Sequence, residues 1–498
     1  MEPKQINILN RRQFIRQAAC AAVGTAALTA AIRDLRFMNA AMAQTNISDY
    51  KALVCIFLAG GNDSNNLIIP TIASEYANYA AIRTPILAIP LTGAAHNVLP
   101  ISPSNSDGHE YGLHPACPEL VSLFNSGKLA ILFNTGTLVF PMTRSQYQSG
   151  ILQKPPQLFS HADQVTQWQT SVPDKPALTG WGGRCADLLN SVQPGAPISL
   201  SVSLAGANTF EVGNIVSQYS VTPNGAISLL LPGSGSIYTN RQTALTNLLG
   251  LNYANLQQQA YAGVAEHAIN SSTILNGAIA RTIEPPTGTW HWNSSFPGTI
   301  TPPTGGTAFT STLGPQLKMV ARMIEAGYRT ASSGGFGMRR QIFFCQVGGY
   351  DLHAGQTTGS TASTVSTGAH ANLLSEVSQC FSAFQAALEQ LGLDKQVTAF
   401  TASDFGRTFP SNGQGSDHGW GSHHLILGGA VKGGRTYGNF PTLAINGPDD
   451  TNTGRWIPTT AIDQYFSTLA TWFGLDNNNL ATVFPNLGRF ASPNLGFV

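Results

Sequence analysis

Apolar runs of strand length recur along the chain, and each ends in polar or glycine-rich residues: ALVCIFLAGGND, LAILFNTGTL, QIFFCQVGGYD and QVTAFTASDFG. Between them lie CPELVSLFNSGK, GPQLKMVARMIEAG and ANLLSEVSQCFSAFQAALEQLG, with apolar residues at the three- and four-residue steps of an amphipathic helix. Uninterrupted apolar strands need cover on both faces. Their alternation with helices therefore predicts an α/β fold with a mainly parallel central sheet and helices on both sides. In such sheets ligands bind beyond the C-terminal strand ends. The stretch from about Pro194 to Gly306 breaks the pattern: it is rich in Ser, Thr, Asn, Gly and Pro, with one helical piece near residues 242–282. It reads as a loop-rich insertion or cap on the same domain.

At 498 residues the chain can be one large α/β unit with an insertion. Only 10% of residues are charged and the net charge is +1, so no field exists to attract nucleic acid or an anionic membrane. The N-terminus reads as processing, not fold. Arg11, Arg12 and Phe14 precede a mildly apolar, alanine-rich run, and Ala41 and Ala43 are small enough for a signal peptidase. Residues 1–43 are thus expected to be a twin-arginine signal, with the translocase as a partner during export, a periplasmic or secreted destination and no stable membrane span in the mature chain. The plainer reading of the segment is an amphipathic N-terminal helix. The mature part, 44–498, keeps an odd five cysteines: Cys55, Cys117, Cys185, Cys345 and Cys380. No C-x-x-C pair suggests zinc or redox chemistry, and none or one disulfide is expected.

Three strands each deliver a carboxylate to the same expected edge. Asp63 follows the first in GGND, Asp351 and His353 follow another in GGYDLH, and Asp404 follows a third in TASDFG. Soon after come Asp417, His418, His423 and His424, in a stretch too rich in Gly, Ser and Asn for a helix. An oxygen and an imidazole two residues apart can face one ion from an irregular loop, and so many such groups within eight residues are seldom all left to solvent. Each signal alone has a structural alternative: a turn with a helix cap for Asp63, a surface loop for Asp351 and His353, a solvated polar loop for Asp417 and the histidines. His423 and His424 are neighbours whose side chains diverge, so only one can easily face a shared site.

Together these segments, with GRWIPTTAIDQYFSTLATWFG near the C-terminus, resemble the bacterial family called domain of unknown function 1501, over nearly all of the mature chain. Members usually carry Glu where this chain has Asp404. The family is similar in layout to the alkaline phosphatase and sulfatase superfamily, which places Asp and His residues at strand ends around one or two divalent metals. The resemblance implies a metal set drawn from Asp63, Asp351, His353, Asp404, Asp417, His418 and His423, holding zinc, manganese, magnesium or calcium. Phe405 stands where the superfamily has a histidine, so either Asp417 and His418 supply the missing ligands from the following loop or the metal site is incomplete.

The resemblance also implies a nucleophile at a helix start after the second strand. There Thr143 and Ser145 offer hydroxyls and Arg144 a cation for an anionic group; N-capping is the structural alternative. His161, with Asp163 beside it, either binds substrate or anchors its turn. Arg407 either binds a substrate anion or locks Asp404 in a salt bridge, the nearer partner. No Cys/Ser-x-Pro-x-Arg arrangement is present, so sulfatase chemistry through a modified cysteine is not expected. The function expected is a metal-dependent hydrolase of phosphate or sulfate esters, its substrate a small molecule or a glycan. The competing expectation is a non-catalytic periplasmic or cell-surface protein that keeps the fold.

Overall fold

A computed structural model describes residues 47–193, 195–226, 235–280 and 296–498. The expected signal segment lies outside the described residues. Ten strands form the central sheet: β1 (Lys51–Leu58), β2 (Leu129–Gly136), β3 (Ser201–Ser203), β4 (Tyr219–Thr222), β5 (Gly225–Ala226), β6 (Arg340–Val347), β7 (Val397–Ser403), β8 (Ser422–Leu427), β9 (Arg435–Tyr437) and β10 (Thr460–Ala461). Their order is β9-β2-β8-β7-β1-β6-β3-β4-β5, with β10 also on β2. Most pairings are parallel; β8 runs antiparallel to both neighbours, and β5 is antiparallel to β4. The fold is thus the mixed α/β sheet that the apolar runs predict.

Successive strand residues point to opposite faces, and every residue of β7 and all but the first of β1 are buried, so both faces of the sheet's centre are covered. The helices Pro118–Asn125 and Leu313–Tyr328 both pack on Ala369–Leu391, and all three are those that the three- and four-residue periodicity marks. The helices His161–Thr170, Trp181–Leu189 and Ile462–Phe473 pack on β7, β6 and β1 respectively. Trp181 stacks on Phe466 with ring centroids 4.5 Å apart, joining two of these helices. Cys55, Cys117, Cys185, Cys345 and Cys380 are free and buried, so they behave as small apolar side chains.

The stretch expected to be an insertion contributes β3, β4 and β5 to one edge of the sheet. Its helical piece is two helices, Gly235–Leu249 and Leu256–Ala280; Leu275 and Ile279 of the second reach the core, whereas the first buries nothing. Among the described residues no helix is long and apolar enough to cross a membrane.

What positions chemistry is the middle of the sheet. β6, β1 and β7 are adjacent and parallel, in the registers Leu58↔Val347 and Leu58↔Ser403, so their C-terminal ends share one edge. Gly60 and Gly61 continue β1 with φ of 116° and 85°. A Cβ on Gly60 would lie 2.4 Å from the backbone nitrogen of Asp351, and one on Gly61 would lie 2.5 Å from the ring of Phe405. Only glycine lets the three strand ends close up this tightly.

One buried carboxyl stands apart from that edge. Asp463, in the first turn of Ile462–Phe473, is fully buried with neither oxygen hydrogen-bonded, and desolvation pushes its pKa up to about 8. Raised in the folded state, this acid contributes stability that is complete below the usual carboxylate pKa near ~4 and is lost as pH rises toward 8. Asp463→Asn should therefore melt higher than the native protein at pH 8, by ~2 °C or more, with the gap closing toward pH 4. Calorimetry across that range checks it, and a variant that melts lower at pH 8 would refute the assignment.

Candidate metal centre

Four side chains from three separate segments meet beyond the C-terminal ends of β6, β1 and β7. His161 opens the helix His161–Thr170; Asp351 and His353 lie in the loop after β6; His418 lies between β7 and β8. His418 is carried by a two-stranded ribbon: residues 404–408 fold against 416–420 through an antiparallel bridge between Arg407 and His418, with hydrogen bonds Gly419 N to Gly406 O (2.7 Å) and Thr408 N to Asp417 O (2.9 Å). The glycine-rich stretch that cannot be a helix is this ribbon, followed by β8.

The distances are those of one small site. His418 Nε2 lies 2.9 Å from His353 Nε2, 3.1 Å from His161 Nε2 and 3.3 Å from Asp351 Oδ1. Asp351 is also 3.1 Å from His353 Nε2 and 3.4 Å from His161 Nε2. His161, Asp351 and His418 each offer a ligand atom within 4.8 Å of the other two. For comparison, a tetrahedron with ligands ~2.0–2.1 Å from its centre has edges of roughly 3.3–3.4 Å.

The far nitrogen of each ring decides what the near one can do. His161 Nδ1 faces Asp404 Oδ2 at 2.7 Å, His353 Nδ1 faces Asp417 Oδ1 at 2.9 Å, and His418 Nδ1 faces the carbonyl of Phe159 at 2.7 Å. A carboxylate or carbonyl can only accept, so each Nδ1 carries the hydrogen. In the neutral rings every Nε2 then bears a lone pair. His418 Nε2 thus faces the Nε2 lone pairs of His161 and His353 and the Asp351 carboxylate, an arrangement that is repulsive until a proton on one ring or a metal cation lies between. Imidazoles backed by carboxylates or a carbonyl are also the arrangement that orients metal-binding histidines and raises their basicity.

Electrostatics around the cluster keep its carboxylates charged. Partial burial acts to raise the pKa of Asp351, but the Arg407 guanidinium, donating from Nη1 to Oδ1 at 2.9 Å, and the nearby imidazoles outweigh it, and the net shift is downward. The hydrogen bond from Asn412 Nδ2 holds Asp417 below the usual range, with His353 adding to it. Desolvation lowers the pKa of His418, helped by Arg407 and His161 and opposed by the Phe159 carbonyl. Phe405 lies under the site, its ring 4.8 Å from His161 and 4.7 Å from His418. The cluster itself is open: the side chains of Asp351 and His353 are 47% and 45% exposed. A cleft of about 620 Å³ lies elsewhere, lined in part by Ile198, Ile215, Tyr219 and Ser271.

The other residues singled out in the sequence fall around this centre or away from it. Asp404 is buried and engaged by His161 and by Gly60 N (2.9 Å), and Asp417 by His353 and Asn412, so both stand behind the imidazoles. Asp63 is buried in an ion pair with Arg83 and takes a hydrogen bond from Gln356; burial would raise its pKa, but Arg83 and His370 hold it down. It makes no hydrogen bond to the cluster. His423 and His424 lie inside β8, at a register shift opposite β2. His423 accepts from Asn134 N at 3.1 Å among the rings of Phe133 and Phe440, and His424 packs on Trp168; burial depresses both pKa values to about 3. Their side chains do diverge, but into the core on both sides.

Arg407 does not lock Asp404. It is buried and donates to Asp351, to Gly60 O (3.2 Å) and to Ser416 O (2.5 Å), because the ribbon turns it back under the β1 end, leaving Asp404 to His161. Thr143 is the N-cap of the helix Arg144–Ser149, in a capping box with Gln146, and neither it nor Ser145 hydrogen-bonds to the cluster. Arg144 is engaged by Asp450 O, Asn446 and Asn452. His161, which the sequence offers for substrate or for anchoring its turn, joins the cluster beside Phe405 from a distant helix, a position that spacing along the chain does not reveal.

Residues 322–483 match the model of the family described as protein of unknown function, DUF1501. The matched segment carries β6 through β10, and with them Asp351, His353, Asp404, Arg407, Asp417 and His418; His161 lies outside it. No curated protein matches. Among solved structures found similar is the PsFucS1 sulfatase from Pseudoalteromonas sp., at 12% identity over 89% of this chain and 72% of that one, with a TM-score of 0.29.

Proposed function

We propose that this chain is an exported, metal-dependent hydrolase of phosphate or sulfate esters that holds one zinc-type divalent ion among His161, Asp351, His353 and His418. The observation that carries the reading is the convergence of three Nε2 lone pairs and a carboxylate, each imidazole braced on its far side. Nitrogen-rich donors of this kind suit zinc or another borderline metal better than magnesium or calcium, which take oxygen. A bound ion of that kind supplies Lewis acidity toward an ester oxygen or a water. The residues of the chain do the rest: Asp404, Asp417 and Phe159 fix the rings, Arg407 keeps Asp351 anionic, and the open face admits the end of a larger molecule such as a glycan ester. Thr143 and Ser145 are not part of the reading, since Thr143 is engaged as a cap and neither hydroxyl reaches the cluster.

Zinc titrated into metal-free protein by calorimetry should bind at one site, and at a hundredfold excess over Kd should stabilise the fold by about 2.7 kcal/mol. His161→Ala and His418→Ala should abolish that binding, whereas Asp404→Asn should weaken it by roughly 10–100-fold. Unchanged zinc affinity in His161→Ala would overturn the centre as assigned. The export part of the reading rests on Arg11 and Arg12 ahead of the alanine-rich run. Replacing both with Lys should leave the precursor in the cytoplasm on fractionation; normal secretion of that variant would count against a twin-arginine route.

A further inference from the structure

Arg455 belongs to a segment that the sequence marks, GRWIPTT, yet no role described so far uses it. Its backbone is fixed by Asp450, a fully buried carboxylate whose Oδ1 accepts from the backbone nitrogens of Asn452 (3.1 Å), Gly454 (2.7 Å) and Arg455 (3.2 Å). Its side chain is fixed against the backbone of His418 and the ring of Phe159. Nε donates to the carbonyl of His418 at 2.7 Å, and the guanidinium lies 4.3 Å from the centre of the Phe159 ring. Phe159, held at φ 73°, is the residue whose carbonyl receives the Nδ1 hydrogen of His418. Arg455 therefore touches both the backbone of His418 and the residue that orients its ring.

Only one edge of the guanidinium is engaged by these contacts. Among the described residues Nη1 and Nη2 make no hydrogen bond or ion pair, and neither is a buried atom lacking a partner, so both meet solvent. The neighbouring cations differ: Arg407 and Arg83 are buried on carboxylates and carbonyls, and Arg144 is engaged by Asp450 O and two asparagines. A guanidinium stacked on an aromatic ring, fixed through Nε and with two free donors, is a preorganised fork for a tetrahedral oxyanion.

We infer that Arg455 binds the non-bridging oxygens of the phosphate or sulfate group beside the metal centre, an assignment that rests on the metal reading above. The metal and the fork would hold the anion from two sides. A residue that merely props His418 would act on the metal instead, and the two roles separate in binding measurements.

The test uses the full mature chain. Zinc is titrated into metal-free protein, and inorganic phosphate and inorganic sulfate are then titrated, in separate experiments, into zinc-loaded protein, for the native chain, Arg455→Lys and Arg455→Met. Arg455→Met should bind zinc within about threefold of the native value and lose about tenfold or more in affinity for the preferred anion, with Arg455→Lys between. The tighter of the two anions in the native protein assigns the ester class. Should Arg455→Met fail to fold, phenylglyoxal treatment of the native zinc protein followed by peptide mapping gives a second reading: Arg455 should be modified, and the preferred anion should protect it. If the native protein does not bind zinc, the metal reading fails and this inference with it. If zinc binds but neither anion does, if Arg455→Met binds the anion as well as the native chain, or if it loses zinc alone, the inference on Arg455 fails and the metal reading stands.

Discussion

His418 Nε2 faces two other imidazole nitrogens and a carboxylate at hydrogen-bond distance, which neutral rings tolerate only with a proton or a metal cation between them. That constraint organises this edge of the molecule. Each ring could escape by rotating, but its far nitrogen is held by Asp404, Asp417 or the Phe159 carbonyl, and those groups are in turn held by Gly60, Asn412 and the strained turn at residues 157–159. The geometry is thus imposed from outside the cluster, by the contacts on the far side of each ring.

The fold supplies this in layers. Parallel β6, β1 and β7 bring three chain ends together, and glycines at 60 and 61 let them approach to contact. Beneath the site, Arg407 ties Asp351, the β1 end and the ribbon to one another, while Arg83 reaches from the helix Ala73–Leu87 to Asp63 and to the carbonyls of Thr408 and Phe409. Two buried arginines thus neutralise carboxylates that would otherwise repel across the strand ends. Removing a partner from a fully buried pair such as Arg83 and Asp63 typically costs ~3–5 kcal/mol, whereas the pair as a whole adds little, so its value here is positional.

The sheet was legible because its strands are buried on both faces and read as unbroken apolar runs, and because the long helices keep their periodicity. The delivery of Asp351 and Asp404 to one edge followed from the same pattern. Roles were less legible than positions. Asp63, Asp404 and Asp417 carry the same functional group as Asp351, and nothing in their spacing tells which one faces a neighbour and which faces a ring's far nitrogen. His423 looks like a ligand in a polar stretch, but the switch from ribbon to β8 occurs just before it and buries it together with His424. His161 and Arg455 enter from residues far along the chain, and only the tertiary fold brings them to His418.

The central claim is that the imidazoles and Asp351 surround one cation. Crystals grown with zinc, with diffraction recorded on either side of the zinc absorption edge, test it directly. The expected result is a single strong anomalous peak ~2.0–2.1 Å from the Nε2 atoms of His161 and His418 and from an Asp351 oxygen, with His353 as the further nitrogen. No peak there, or a peak at Asp63 instead, would contradict it.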